Sequence, residues 1–273
     1  MPSPLDPAAF VSVLSPAVRQ AAAIARALEG TVPNRPKDGE PTATKAALTI
    51  ADTASQEALL VPLFEHYPFV GLDAEEDTPS VRRFPQGGEP FVVIDPLDGT
   101  LRSYLDARGP YAVIVGLVRG GRVDAGLVAL PREGLFFDAV RGRGAHASRA
   151  GGIPRPAALH PGGRRVIVSH EMPARVCAAL VERGYEPVRG AGGAIAVAPL
   201  VPGVCAGLRL APAAGGISRR GRIGALISQE AGAVVLGEDG KPFPAELDAP
   251  ARALVLASTP AQARDLLDAL AAG

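Results

Sequence analysis

The chain reads as an α+β protein, or equally a layered α/β one, on three observations. Apolar residues recur at three- and four-residue steps within Pro7–Glu29 and again within Ile50–His66. The pattern then switches to short continuous apolar runs separated by Gly- and Pro-bearing turns. Beyond residue 161 helical and extended patterns alternate, with no internal repeat.

In order, Phe10, Val11, Leu14, Val18, Ala21, Ala22, Ala25 and Leu28 predict an amphipathic helix over Pro7–Glu29, interrupted or restarted near Ser15-Pro16. Thr31–Thr44 is polar and reads as a loop. A second helix is expected over Ile50–His66, with Leu59, Leu60, Leu63 and Phe64 inward and Pro62 bending its later turns. Phe91–Ile94 is a short apolar run that reads as a buried strand. Tyr111–Val118, Val123–Leu130 and Leu135–Val140 complete an antiparallel meander, and Arg141–Pro161 reads as loop. Strands follow at Arg165–Ser169, Val204–Leu210, Ala233–Leu236 and Ala253–Ala257. Helices are expected at Pro173–Arg183, near Ala194–Val201 and at Ile223–Ala231. The last helix has Thr259 as N-cap, Pro260 at its first position, Leu266, Leu267 and Leu270 inward, and Gly273 ending it. The organisation expected is an N-terminal α+β subdomain, 1–155, and a C-terminal α/β subdomain, 156–273.

Composition narrows the partners. With 47% apolar and 21% charged residues, wholesale disorder is excluded. Lysine plus arginine and aspartate plus glutamate both number 28, so a nucleic-acid partner has no global electrostatic attraction to exploit. The absence of Trp and 4% aromatics leave few stacking platforms for bases. Gly190–Leu208 is free of charge, but its prolines and five glycines suit buried core segments rather than a membrane span. No basic residue precedes Arg19, and Cys177 and Cys205 read as reduced thiols, so the expected compartment is cytoplasmic.

The chemistry-bearing feature is Ile94-Asp95-Pro96-Leu97-Asp98-Gly99-Thr100, directly after the first buried strand. The Pro and the paired acids imply that the chain turns there, and Gly99 permits close backbone approach to a ligand. Two carboxylates and the Leu97 carbonyl are hard oxygen donors of the kind Mg²⁺ takes. In isolation the segment reads equally well as a β-turn with capping aspartates. Upstream, Asp73, Glu75, Glu76 and Asp77 read on their own as a solvated acidic loop, and Asp52 as a helix N-terminal acid.

Taken together, Thr49-Ile50-Ala51-Asp52, Glu75-Glu76 and Asp95-Pro96-Leu97-Asp98-Gly99-Thr100 resemble the inositol monophosphatase superfamily of Mg²⁺-dependent, Li⁺-sensitive phosphatases, which includes the 3′(2′),5′-bisphosphate nucleotidases. The resemblance continues through Gly126–Ala129, Phe137–Ala145 and Gln229-Glu230-Ala231-Gly232. It implies a layered α-β-α-β-α sandwich of the sugar-phosphatase type. It further implies that Glu75, Asp95 and the Leu97 carbonyl hold one Mg²⁺, and that Asp95 and Asp98 reach a second. Thr100, supported by Asp52, would orient the attacking water with Glu75 assisting, while the Gly99 and Thr100 amides cradle the phosphate. A homodimer is a further family expectation.

Two departures bear on function. The family's second metal takes an Asp ten residues before the Glu of its E-A-G-G segment; here that position is Arg220, and no carboxylate occurs from Pro187 through Gln229. Ala213 stands where inositol phosphatases place an acid against the substrate ring. Arg220 would then replace the ion and pair with Asp98 or the substrate phosphate, or point to solvent, or mark a degenerate site. Arg219, Arg220 and Arg222 together would favour a substrate with more than one phosphate, or else form a solvated basic turn. His66, His146, His160 and His170 lack metal-type spacing; His170, after a strand end, is the one placed to line a cleft. The expected activity is Mg²⁺-dependent hydrolysis of a small inositol, sugar or nucleotide 3′-phosphate. The alternative is a non-catalytic relative that binds a phosphorylated ligand or a partner protein.

Overall fold

The computed structural model of the chain describes residues 5–211 and 216–272. Three helices come first: α1 (Pro7–Leu28), α2 (Ala43–Ala46) and α3 (Ile50–His66). Asp6 caps α1 by accepting the Ala8 N–H, and Pro7 sits in the first turn. The expected restart at Ser15-Pro16 does not occur, and α1 runs unbroken through Pro16. Both Pro16 and Ser12 are exposed, so the Ser12 carbonyl that loses its bond faces water rather than the core. Phe10, Leu14, Val18 and Ala21 are meanwhile buried against α3 and the first sheet. By length and composition alone α1 could cross a membrane, but its apolar stripe packs into this core.

Seven strands form the first sheet in chain order: β1 (Gly71–Ala74), β2 (Phe91–Asp98), β3 (Ala112–Arg119), β4 (Arg122–Leu130), β5 (Leu135–Val140), β6 (Ala145–Arg149) and β7 (Arg155–Pro156). The antiparallel meander is present and longer than expected, since β6 and β7 occupy part of the segment read as loop. β1 lies where a solvated acidic loop was expected and pairs parallel with β2. The chain also does not leave β2 at Asp95. Asp95 pairs with Ile114 and Asp98 with Ala112, so the two prolyl-separated acids span a β-bulge rather than a simple turn.

The second sheet is built from β8 (Arg165–Val168), β9 (Glu186–Arg189), β10 (Val204–Leu210), β11 (Val234–Leu236) and β12 (Ala253–Ala257), in the order β11-β12-β10-β8-β9. Its helices are α4 (Ala174–Glu182), α5 (Gly192–Ala196), α6 (Arg219–Glu230) and α7 (Pro260–Ala271). Four-residue β9 was missed, and α6 starts four residues earlier than expected because Ser218 caps it. Thr259 and Pro260 open α7 as expected, with Leu266 buried and Leu267 and Leu270 half-buried; Gly273 lies outside the described residues.

Among the described residues, the three largest of four cores define five layers. α1 and α3 cover one face of the first sheet. α5 and α6 fill the space between the sheets, where Ile114 and Phe137 share a core with Leu254 and Leu256. α4 and α7 cover the far face of the second sheet. This is the α-β-α-β-α sandwich. The middle layer packs tightly: side chains at Gly116 or Gly126 would run into Ile223 of α6. The charge-free stretch from Gly190 to Leu208 is largely buried within this shared region. The chain passes from one sheet to the other between Pro156 and Arg165.

Candidate active site

A cleft of about 600 Å³ opens between the end of β2, the start of α5 and the end of β10. Glu75, Asp95, Asp98, Gly99, Thr100 and Arg220 all line it, so the segments singled out in the sequence do converge. A second cavity of similar size, beside α1 and β5, contains none of them.

Each acid is positioned by local structure. Asp52 closes a capping box with Thr49, accepting that residue's N–H and hydroxyl, each at 2.7 Å. Its other carboxylate oxygen accepts the Thr100 hydroxyl at 2.8 Å, and that hydroxyl also lies 2.9 Å from the Leu97 carbonyl. Glu75 follows β1 and is exposed toward the cleft. Its neighbour Glu76 is buried: the Gln56 side chain accepts the Glu76 N–H at 3.0 Å and donates to its carbonyl at 2.6 Å. Lys37 pairs with the Glu76 carboxylate at 3.0 Å. These contacts pin the loop that carries Glu75 to the side of α3.

Asp95 is buried and accepts the Leu97 N–H at 3.2 Å. Burial, with Glu75 and Asp98 beside it, pushes its carboxyl well above the usual carboxylate range. Burial raises Asp98 too, with Arg209 and the Gly193 N–H pulling the other way. Asp52 is likewise raised by burial against the opposing hydrogen bonds from Thr49 and Thr100.

Gly99 is left-handed, with φ of 95°, and a Cβ there would stand 2.6 Å from that of Ala191. The following residues, Thr100–Leu105, make a π-helical turn in which Tyr104 N–H reaches back to the Gly99 carbonyl. Within it, Ser103 stands 2.9 Å from the His170 ring, which lines the cleft as its place after a strand end suggested. Burial lowers the basicity of that ring.

The basic triplet does not converge on the cleft, which only Arg220 of the three lines. Arg219 pairs with Asp248 at 2.7 Å, and buried Arg222 donates to the Pro244 and Glu246 carbonyls. Arg219 is exposed, Arg222 is buried, and neither lines the cleft. Arg220 lines the cleft but donates to the Ile94 carbonyl at 3.2 Å and to Asp73 at 3.1 Å, not to Asp98. Asp73 was unavailable to sequence reasoning because β1 was not foreseen. Of the two arginines whose charge acts on Asp98, Arg209, from the end of β10, acts more strongly than Arg220, and the sequence reading passed over it. Ala213 lies outside the described residues.

The donor set fits a divalent cation on one side of the cleft. Glu75, Asp95 and the Leu97 carbonyl offer hard oxygens, and a cation would offset the burial and the neighbouring carboxylates that raise Asp95. It fits poorly around Asp98, which already takes a main-chain N–H and faces arginines. Among the described residues no three His, Cys, Asp or Glu side chains are drawn together closely enough to enclose an ion by themselves.

Comparison with known proteins agrees with this architecture. The profile of the inositol monophosphatase family matches residues 9–177. A histidinol-phosphatase of Chlorobaculum parvum is 32% identical over 98 residues, a match spanning only 36% of this chain and 36% of that protein. Among solved structures, Thermotoga maritima IMPase superposes with a TM-score of 0.74 at 17% identity, covering 97% of this chain and 99% of that one. Mycobacterium tuberculosis SuhB gives 0.65 at 23% identity, covering 97% of each chain. Inositol monophosphatase from Anabaena gives 0.69 at 20%, covering 97% and 96%. At these identities the solved structures establish a shared fold.

Proposed function

The chain belongs to the inositol monophosphatase family, and from that premise we propose that it is a cytoplasmic Mg²⁺-dependent phosphatase acting on a small phosphomonoester. The substrate class is an inositol, sugar or nucleotide 3′-phosphate, widened by the histidinol-phosphatase relative to phosphorylated amino alcohols. Neither a nucleic acid nor a membrane is a partner in this reading. A homodimer and the subdomains 1–155 and 156–273 remain proposals of the same kind.

The observation that carries the reading is the Thr100 hydroxyl, held by Asp52 at the edge of the carboxylate cleft. By giving its hydrogen to Asp52, Thr100 keeps a lone pair with which to accept one from water and orient that water's oxygen toward phosphorus. Glu75, Asp95 and the Leu97 carbonyl would hold the divalent ion. When bound, that ion supplies Lewis acidity, acidifying water and offsetting charge that grows on the phosphoryl oxygens. Gly99 and Thr100 line the cleft at the start of the following turn, where their amides would meet the phosphate. Displacement by water needs no covalent phosphoenzyme. The convergence of Glu75, Asp95 and Thr100 on one cleft, with Asp52 behind Thr100, favours turnover over a non-catalytic phosphate binder.

The test is Mg²⁺-dependent release of inorganic phosphate from a panel of inositol, sugar, nucleotide and amino-alcohol phosphates. We expect turnover on at least one, abolished in Asp95→Asn. A silent panel with phosphate binding intact would return the chain to the non-catalytic alternative.

A further inference from the structure

Asp98 and Arg209 each pack against the first residues of α5. The Gly193 N–H donates to the Asp98 carboxylate, while the guanidinium of Arg209 fills the space beside Gly192. The same guanidinium lies against Gly221 in the first turn of α6, so a methyl group at either glycine would overlap it. Two glycines from two helices thus form a slot for one arginine head, closed by a 3.4 Å contact to the Ser218 hydroxyl. The slot opens on the cleft that Asp95 and Thr100 also line. Arg220, the residue that the sequence puts in the vacant ligand position, is instead held by Asp73 and the Ile94 carbonyl.

We propose that the Arg209 guanidinium takes the place of a second divalent ion in this cleft, balancing Asp98 and presenting N–H donors to the substrate phosphate. A fixed positive charge beside Asp98 repels a divalent ion from the same carboxylate. A guanidinium also offers a planar fork of donors that matches phosphate oxygens in a way a lysine does not. The chain is therefore a one-metal member of its family, with Glu75, Asp95 and the Leu97 carbonyl as its ion site and a built-in cation opposite. This rests on the reading of the cleft as a metal-dependent phosphate site.

The test begins with the unaltered chain, titrated with Mn²⁺ and followed by electron paramagnetic resonance. One tightly bound ion per chain is expected. Two ions would overturn this inference while leaving the proposed function standing; none would remove both. Arg209→Met keeps an apolar stem in the slot and discards the charge. With saturating Mg²⁺, its affinity for inorganic phosphate, measured by calorimetry, should fall at least tenfold. An unchanged affinity would overturn the inference. Should Arg209→Met fail to fold, Arg209→Lys retains charge without the fork, and a several-fold weaker phosphate affinity is expected there. Full retention in the lysine variant would equally count against a guanidinium clamp.

Discussion

The Thr100 hydroxyl donates to Asp52 across 2.8 Å, tying the turn after β2 to the N-terminus of α3 although 48 residues separate them in the chain. Asp52 therefore serves two masters. One oxygen caps its own helix through Thr49, and the other fixes the rotamer of Thr100.

Replacing Thr100 by Val keeps the shape and removes the hydroxyl. We expect kcat to fall by about 10²-fold or more with KM little changed, because only the orientation of water is lost. Thr100→Ser should recover most of the rate. Initial rates on the best substrate of the panel decide it; an unimpaired Val variant would show that Thr100 does not face the reacting water.

Asp52, Asp95 and Asp98 all have folded-state pKa values above their unfolded ones. Without a divalent ion, their contribution to stability is present in acid and is lost as pH rises through the folded values. Glu238, Asp239 and Asp248 are shifted downward and act in the opposite sense, so Tm alone mixes the two sets. The rise in Tm on adding Mg²⁺ isolates the cleft. Because the cation competes with protons, that rise should be larger at about pH 8 than at about pH 5.5. Scanning calorimetry showing the same increment at both would contradict ion binding by these carboxylates.

Gln56 touches no ligand but brackets the backbone of Glu76 from both sides. In Gln56→Ala a buried N–H and C=O lose their partners, at a cost of about 1–3 kcal/mol, and the loop bearing Glu75 loosens. Mn²⁺ affinity should weaken several-fold and kcat at saturating metal should largely recover. A variant whose stability falls while its metal affinity is unchanged would show that the loop is held by Lys37 and Glu76 alone.

Glu230, at the end of α6, accepts the N–H groups of Gly142 at 2.8 Å and Gly144 at 3.0 Å. Glu230→Ala removes both charge-assisted bonds and should destabilise the fold by about 1–3 kcal/mol, read from urea unfolding. Wild-type stability in that variant would mean that water replaces the carboxylate without loss.

What could be read from the sequence follows the range of the interactions. Asp95 through Thr100 are contiguous, and Asp52 sits in a local capping motif, so a family resemblance carried by short motifs could locate them although each motif alone reads as a capped turn or helix start. The pairing of Phe137–Ala145 with the end of α6 gains a physical reason in the Glu230 bonds to the Gly142–Gly144 turn. Arg209 was invisible because its role depends on two glycines, 192 and 221, that only the packing of α5 against α6 brings to it. β1 and β9 carry charged residues and, in β9, a proline where β8 has an apolar run, so neither announces itself as a strand, and missing β1 hid Asp73, the partner that draws Arg220 away from Asp98. Pro16 misled for the opposite reason: a strong local signal was outweighed by the long apolar face around it.

α6 carries Arg220 at its cleft end and Glu230 at its other, 12 residues or about 18 Å of stiff rod fastened at both tips. The wall that a substrate meets thus owes its alignment to a distant joint that no substrate touches. Tuning of this pocket can accordingly come from the hairpin at Gly142–Gly144, leaving every ligand-facing side chain unaltered.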